Sequence, residues 1–208
     1  MIKRNKKIIT KIFISIFTIF ISVPIFAFGP SGSKIYNGID VSSWQGRINF
    51  SLVKNDGIDV VYIKSSEGRS LVDPYFETNY SNAKSNGLKV GFYHYVTART
   101  TSSAKEQAIF FSRVIAGKSP DCKLAMDFES FGSLSVNEIN NISKTFLETL
   151  QKETGIDVLI YSNAYSAKYI FSRDLNKYPL WVANYGVNAP SSNGKWGAWA
   201  RMAIYKYW

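Results

Sequence analysis

The chain has 208 residues, of which 46% are hydrophobic, 15% aromatic and 19% charged. That is ample apolar content for a packed core in one domain, or two very small ones, and it excludes a disordered polymer. A single Cys and a single His exclude a disulfide framework and any His/Cys zinc site, which needs about three or four such ligands.

Charge is the other deviation: 25 Lys and Arg against 15 Asp and Glu give a formal +10. Five of those charges, Lys3, Arg4, Lys6, Lys7 and Lys11, precede an apolar run over residues 12–28 that is broken only by Ser15, Thr18, Ser22 and Pro24. A basic segment followed by an apolar one reads as a secretory signal. The run of 17 residues is also at the short edge for a bilayer span. A cut after Ala27 has a small residue before it but Ile25 two positions earlier, so cleaved signal and membrane anchor both stay open for residues 1–28. Either way the flank predicts a cytoplasmic N-terminus, and any membrane contact runs through this segment alone. Residues 29–208 form the expected single domain. They keep a net +5, which attracts polyanions outside the cell, such as a bacterial wall. The basic residues are scattered rather than striped, so nucleic acid is not an expected partner.

Short apolar, β-rich runs follow at residues 35–41, 59–64, 88–96, 123–128, 158–161, 180–183 and 202–208. Runs of this kind suit strands buried on both faces, as in a parallel sheet. Helical patterns lie between them. Residues 73–86 have Pro74 near the start and Gly87 at the end. Residues 101–116 carry Ala104, Ala108, Phe111 and Ile115 on one stripe. Residues 135–154 open with Ser135 and Glu138, a capping box, and close at Gly155. The alternation predicts an α/β fold with right-handed crossovers. Strand spacing shrinks toward the C-terminus, so the last crossovers should lack full helices. A closed barrel accommodates seven or eight such strands better than an open sheet of this length.

In such folds chemistry sits at the carboxyl ends of the strands. Asp127-Phe128-Glu129 closes the fourth run, and residues i and i+2 on a strand point to one side. Two carboxylates in one mouth repel, which raises one pKa and keeps an acid protonated beside an ionised neighbour. Glycoside cleavage needs such a pair. The competing reading has Asp127 bonded to a loop and Glu129 simply solvated. Asp40, after the first run, is either a third carboxylate of that mouth or a turn cap. Trp44 lies near it, and aromatic faces suit the C–H faces of sugar rings, although most Trp, Tyr and Phe side chains are core. Lys64 either neutralises a carboxylate of the site, holds a substrate acetamide or carboxylate, or simply pairs with Glu67 or Asp40. His94 reads as a hydrogen-bonded structural residue and Cys122 as packing. No glycine-rich nucleotide motif and no metal-ligand pattern is present, so no cofactor is expected.

Six motifs in unbroken order resemble glycoside hydrolase family 25, the Chalaropsis-type lysozymes. They are Gly38-Ile39-Asp40-Val41-Ser42-Ser43-Trp44-Gln45-Gly46, Tyr62-Ile63-Lys64-Ser65-Ser66-Glu67-Gly68, Val90-Gly91-Phe92-Tyr93-His94-Tyr95, Leu124-Ala125-Met126-Asp127-Phe128-Glu129, Leu159-Ile160-Tyr161-Ser162-Asn163 and Leu180-Trp181-Val182-Ala183. The resemblance implies a modified TIM-like (β/α) barrel with five helices and eight strands. It also implies cleavage of the β-1,4 bond between N-acetylmuramic acid and N-acetylglucosamine in peptidoglycan. By the same resemblance Glu129 is the general acid, Asp127 orients the substrate N-acetyl group or stabilises charge, and Asp40 is a further site carboxylate. Lys64, Tyr95, Tyr161 and Trp181 match positions lining the substrate groove. The family pattern continues into an eighth, Asp-bearing strand, whereas this sequence reads Tyr205-Lys206-Tyr207-Trp208, with Lys206 where Gln is common. The expectation is therefore a barrel without its last strand, either an exported muramidase or an impaired wall-binding relative of one.

Overall fold

A computed structural model describes residues 36–183. Strand β1 (Gly38–Val41) leads through a 3₁₀ turn (Ser43–Gln45) into helix α1 (Phe50–Asn55) and strand β2 (Val60–Glu67). A two-residue strand β3 (Leu71–Val72) turns back on β2 before helix α2 (Phe76–Ser85) and strand β4 (Lys89–Tyr95). Helix α3 (Thr101–Val114), strand β5 (Leu124–Asp127), helix α4 (Val136–Thr154), strand β6 (Val158–Asn163), helix α5 (Ala164–Tyr169) and strand β7 (Leu180–Ala183) complete the described chain.

The sheet order is β1-β2-β4-β5-β6-β7, every adjacent pair parallel, with β3 antiparallel to β2. Because each new strand is added beside the last one, the crossover helices collect on a single face. The core shows this: Val61, Ile63, Val90, Phe92, Leu124, Met126, Ile160 and Leu180 pack with Phe76, Phe111, Phe146 and Leu150 of the helices. The opposite face has its own smaller cluster, built from strand residues alone apart from Cys122: Val60, Tyr62, Tyr93, Ala125, Leu159, Tyr161 and Trp181. Strand alternation divides the two sets. The result is a parallel sheet with five helices outside and an aromatic concave face within, an α/β half-barrel.

The predicted runs from 59–64 through 180–183 and all three predicted helices are present, with ends shifted by a few residues. Ser135 caps α4 and bonds Glu138 reciprocally, as its spacing predicts. The β6–β7 crossover is indeed short, consisting of α5 and a 3₁₀ turn (Arg173–Lys177). Three elements were not anticipated: α1, α5 and strand β3. Each is six residues or fewer, too short for a periodic pattern. The second strand also runs three residues beyond its predicted end. The signal or anchor segment 1–28, the predicted strand 202–208 and the expected loss of an eighth strand lie outside the described residues.

Candidate active site

Every candidate residue on a strand falls on the concave face, near the carboxyl ends. The register sets Asp40 beside Tyr62, Lys64 beside Tyr93, Tyr95 beside Asp127, Asp127 beside Tyr161, and Tyr161 beside Trp181. The pairs form three stepped rows, so that residues from both ends of the described chain share one face, with Asp127 in the last row. Strand β5 ends at Asp127. Phe128 then buries itself in the helix-side core, and Glu129 emerges exposed above the row. Its backbone neighbourhood is fixed, since the Ser130 carbonyl accepts from the Arg99 guanidinium at 2.6 Å and its hydroxyl shares a 3.0 Å bond with the Tyr95 hydroxyl.

Asp127 is 8% exposed, and its Oδ1 has no hydrogen-bond partner. Its carboxyl is held well above the usual carboxylate range, first by burial and then by the charge of Glu129. Asp40 and Glu67 push the same way, and Lys64 opposes them. Carboxylates from β1, β2 and the end of β5 therefore bear on the buried Asp127, which holds its proton more tightly than an ordinary carboxyl does. Asp40 is half-buried, and the cap of the following turn is Ser42, whose side chain accepts from Trp44 N–H while Gln45 bonds back to it. The capping alternative for Asp40 thus passes to Ser42.

Lys64 adopts the ion-pair alternative: its Nζ lies 2.7 Å from Glu67 Oε2 and 5.3 Å from the centre of the Tyr95 ring. Trp181 is 4% exposed and packs against Tyr161, Tyr62 and Tyr93 with ring centres 4.7, 4.9 and 6.5 Å away. It forms the floor under the site, while Tyr161 and Tyr95 stand half-buried above it. Trp44, by contrast, is 86% exposed on its turn.

His94 points to the other face. It is buried, stacks on Phe111 and Phe146, and shares a 2.8 Å bond with Ser66 through Nδ1. Burial pushes its pKa down to about 3, so it stays neutral and structural. Cys122 packs beside the buried Tyr62, its thiol pushed up to about 11 mainly by burial. Among the described residues no group of three or more His, Cys, Asp and Glu is placed to hold a metal ion.

Sequence reasoning missed two residues of the site. Tyr93 sits at its centre; burial and the charges of Asp40, Asp127 and Asp73 raise its hydroxyl pKa, against a hydrogen bond with Ser42. Period-two alternation back from Tyr95 was enough to find it. Glu67 was considered only as a partner for Lys64, because simple alternation puts it on the opposite face.

A half-barrel with a carboxylate cluster at the carboxyl ends of its strands is an architecture suited to a sugar hydrolase, and comparison with known proteins gives it a family. The family model of glycosyl hydrolases family 25 matches residues 39–207, and the chain belongs to that family. It is 38% identical over 154 residues to the autolytic lysozyme of Clostridium acetobutylicum, covering 74% of this chain and 46% of the relative. It is 33% identical over 183 residues to lysozyme M1 of Streptomyces globisporus, covering 82% of this chain and 62% of the relative. The chain therefore spans less than two thirds of the length of either. The crystal structure of the bacterial lysozyme from Streptomyces coelicolor superposes with a TM-score of 0.67 at 30% identity, covering 81% of this chain and 82% of the other.

Proposed function

We propose that the protein is a peptidoglycan muramidase, cleaving the β-1,4 bond between N-acetylmuramic acid and N-acetylglucosamine in bacterial cell walls. The observation that supports this most directly is the grouping of Asp40, Asp127 and Glu129 at one end of the concave face of a family 25 chain. Glu129 is the general acid. It is the exposed member of the pair, able to reach the leaving oxygen of a bound glycan. In the free protein burial and the neighbouring charge of Glu129 raise the pKa of Asp127. A glycan filling the cleft expels water from Glu129 and raises its proton affinity as well, so the two titrate as a pair.

Asp127 accepts the N–H of the substrate's 2-acetamido group and turns its carbonyl oxygen onto the anomeric carbon. That oxygen forms the new C–O bond as Glu129 protonates the departing one. Water, deprotonated by Glu129, then opens the cyclic intermediate with retention, by substrate assistance rather than an enzyme nucleophile. Asp40 stabilises the cationic centre. Lys64, Tyr95 and Tyr161 line the groove, with Trp181 beneath them. Residues 1–28 export the chain or anchor it, so that the single domain at 29–208 acts on the wall from outside the cell.

The test is the release of reducing ends from purified peptidoglycan. Glu129→Gln should lower it by about 10²–10⁴-fold, the usual share of a general acid, with the thermal midpoint unchanged. Mass spectrometry of the products should show N-acetylmuramic acid at the reducing end. Undiminished release by the variant, or N-acetylglucosamine at that end, overturns the reading.

A further inference from the structure

Lys64 and Glu67 are three residues apart on one strand, a spacing that normally sends side chains to opposite faces. They meet because β2 is irregular. Lys64 pairs with Tyr93, but Ser66 already pairs with His94, so Ser65 is an extra residue with no partner of its own on β4. Such a bulge reverses the alternation and re-aims the side chains beyond it. Glu67 then pairs with Tyr95 on the concave side, beside Asp127.

The bulge is clamped from behind. Ser65 Oγ donates to the Tyr93 carbonyl at 3.0 Å and lies 3.1 Å from Ser66 Oγ, which bonds His94 Nδ1 at 2.8 Å. Both serines and His94 are fully buried. In front, the Lys64 side chain is only 13% exposed, so its ammonium depends on few partners, whereas Glu67 is 35% exposed.

We propose that Glu67 is a positioning residue: across the bulge it holds the Lys64 ammonium at a set distance from Asp127, and so sets how strongly Asp127 holds its proton. The charged and titratable groups that face Asp127 come from each neighbouring strand: Asp40 on β1, Lys64 and Glu67 on β2, Tyr93 and Tyr95 on β4, Glu129 beyond β5 and Tyr161 on β6. Among those groups Lys64 is the one cation. Its pull on Asp127 is limited while Glu67 engages it, and removing Glu67 releases the full charge toward the carboxylates.

The proposal rests on the reading of Asp127 as a working carboxylate of the site, but its test does not need activity. The midpoint of Asp127 is read from the ¹³C shift of its carboxyl carbon across pH, assigned with Asp127→Asn. Glu67→Gln should lower that midpoint by about one unit, the range typical of a nearby charge. Lys64→Met should raise it. In the Lys64→Met background the Glu67→Gln shift should fall to less than half, because only the direct charge of Glu67 on Asp127 is left. An unchanged midpoint in Glu67→Gln, or an equal shift in both backgrounds, overturns the proposal. Should Glu67→Gln not fold, Glu67→Asp gives the same readout: its shorter carboxylate loosens Lys64, so a lowered midpoint supports the role and an unchanged one refutes it. A failure of muramidase activity in the unaltered chain would sink the proposed function and leave this measurement standing.

Discussion

At the scale of the residue, Asp127 is where the proposed role and stability conflict. Its folded carboxyl binds a proton more tightly than an unfolded one, whose pKa is about 3.8. A group raised in this way contributes its full stability below the unfolded pKa and loses it as the pH climbs through the folded value. At neutral pH the fold therefore carries a buried, ionisable group at a cost. Asp127→Asn should raise the thermal midpoint at pH 7 by about 2–4 °C, the shift expected for roughly 1 kcal/mol in a domain of this size. The gain should vanish below about pH 3.8, where the wild-type carboxyl is protonated in both states. Thermal melts of both proteins at pH 3 and pH 7 check this. The carboxylates were legible in the sequence as residue types at strand ends. The raised proton affinity of Asp127 was not, because it depends on burial, and burial is a property of the folded neighbourhood.

At the scale of the element, two small features hold the site in place. Gly91 is in register with Tyr62, and a Cβ there would lie 2.5 Å from the Tyr62 ring. The ring cannot retreat, since its hydroxyl donates to the Lys123 carbonyl at 2.8 Å and its face meets Trp181. Gly91→Ala should therefore cost about 1–3 kcal/mol, as overpacking does, measured by urea unfolding. Asp73 is buried and accepts from Tyr75 N–H before α2 and from Ser43 N–H, both at 2.9 Å. It ties the turn carrying Trp44 to the start of that helix. Asp73→Ala leaves both donors unpaired and should cost about 1–3 kcal/mol by the same measure. It should also weaken binding of soluble glycan fragments, as followed by calorimetry. Strands and long helices could be read from apolar periodicity. The bulge at Ser65 could not, because one extra residue changes which face Glu67 occupies without changing the composition of the strand.

At the scale of the whole molecule, the proposed function makes charge the term that governs approach to the wall. The +5 on residues 29–208 is drawn to anionic wall polymers. Raising salt from about 0.1 to 1 M shrinks the Debye length from about 10 to 3 Å. Sedimentation with insoluble walls should accordingly fall several-fold over that range, while cleavage of short neutral oligosaccharides should change little. Local periodicity, caps and chain order already encode the α/β class, the succession of the longer strands and helices, and the acids at the strand ends. Folding alone brings Asp40 and Glu129 to bear on Asp127, places Tyr93 among them, packs Trp181 against Tyr161 and turns Glu67 to the concave face. Those outcomes depend on the curl and register of the sheet, which bring together side chains that are far apart along the polypeptide.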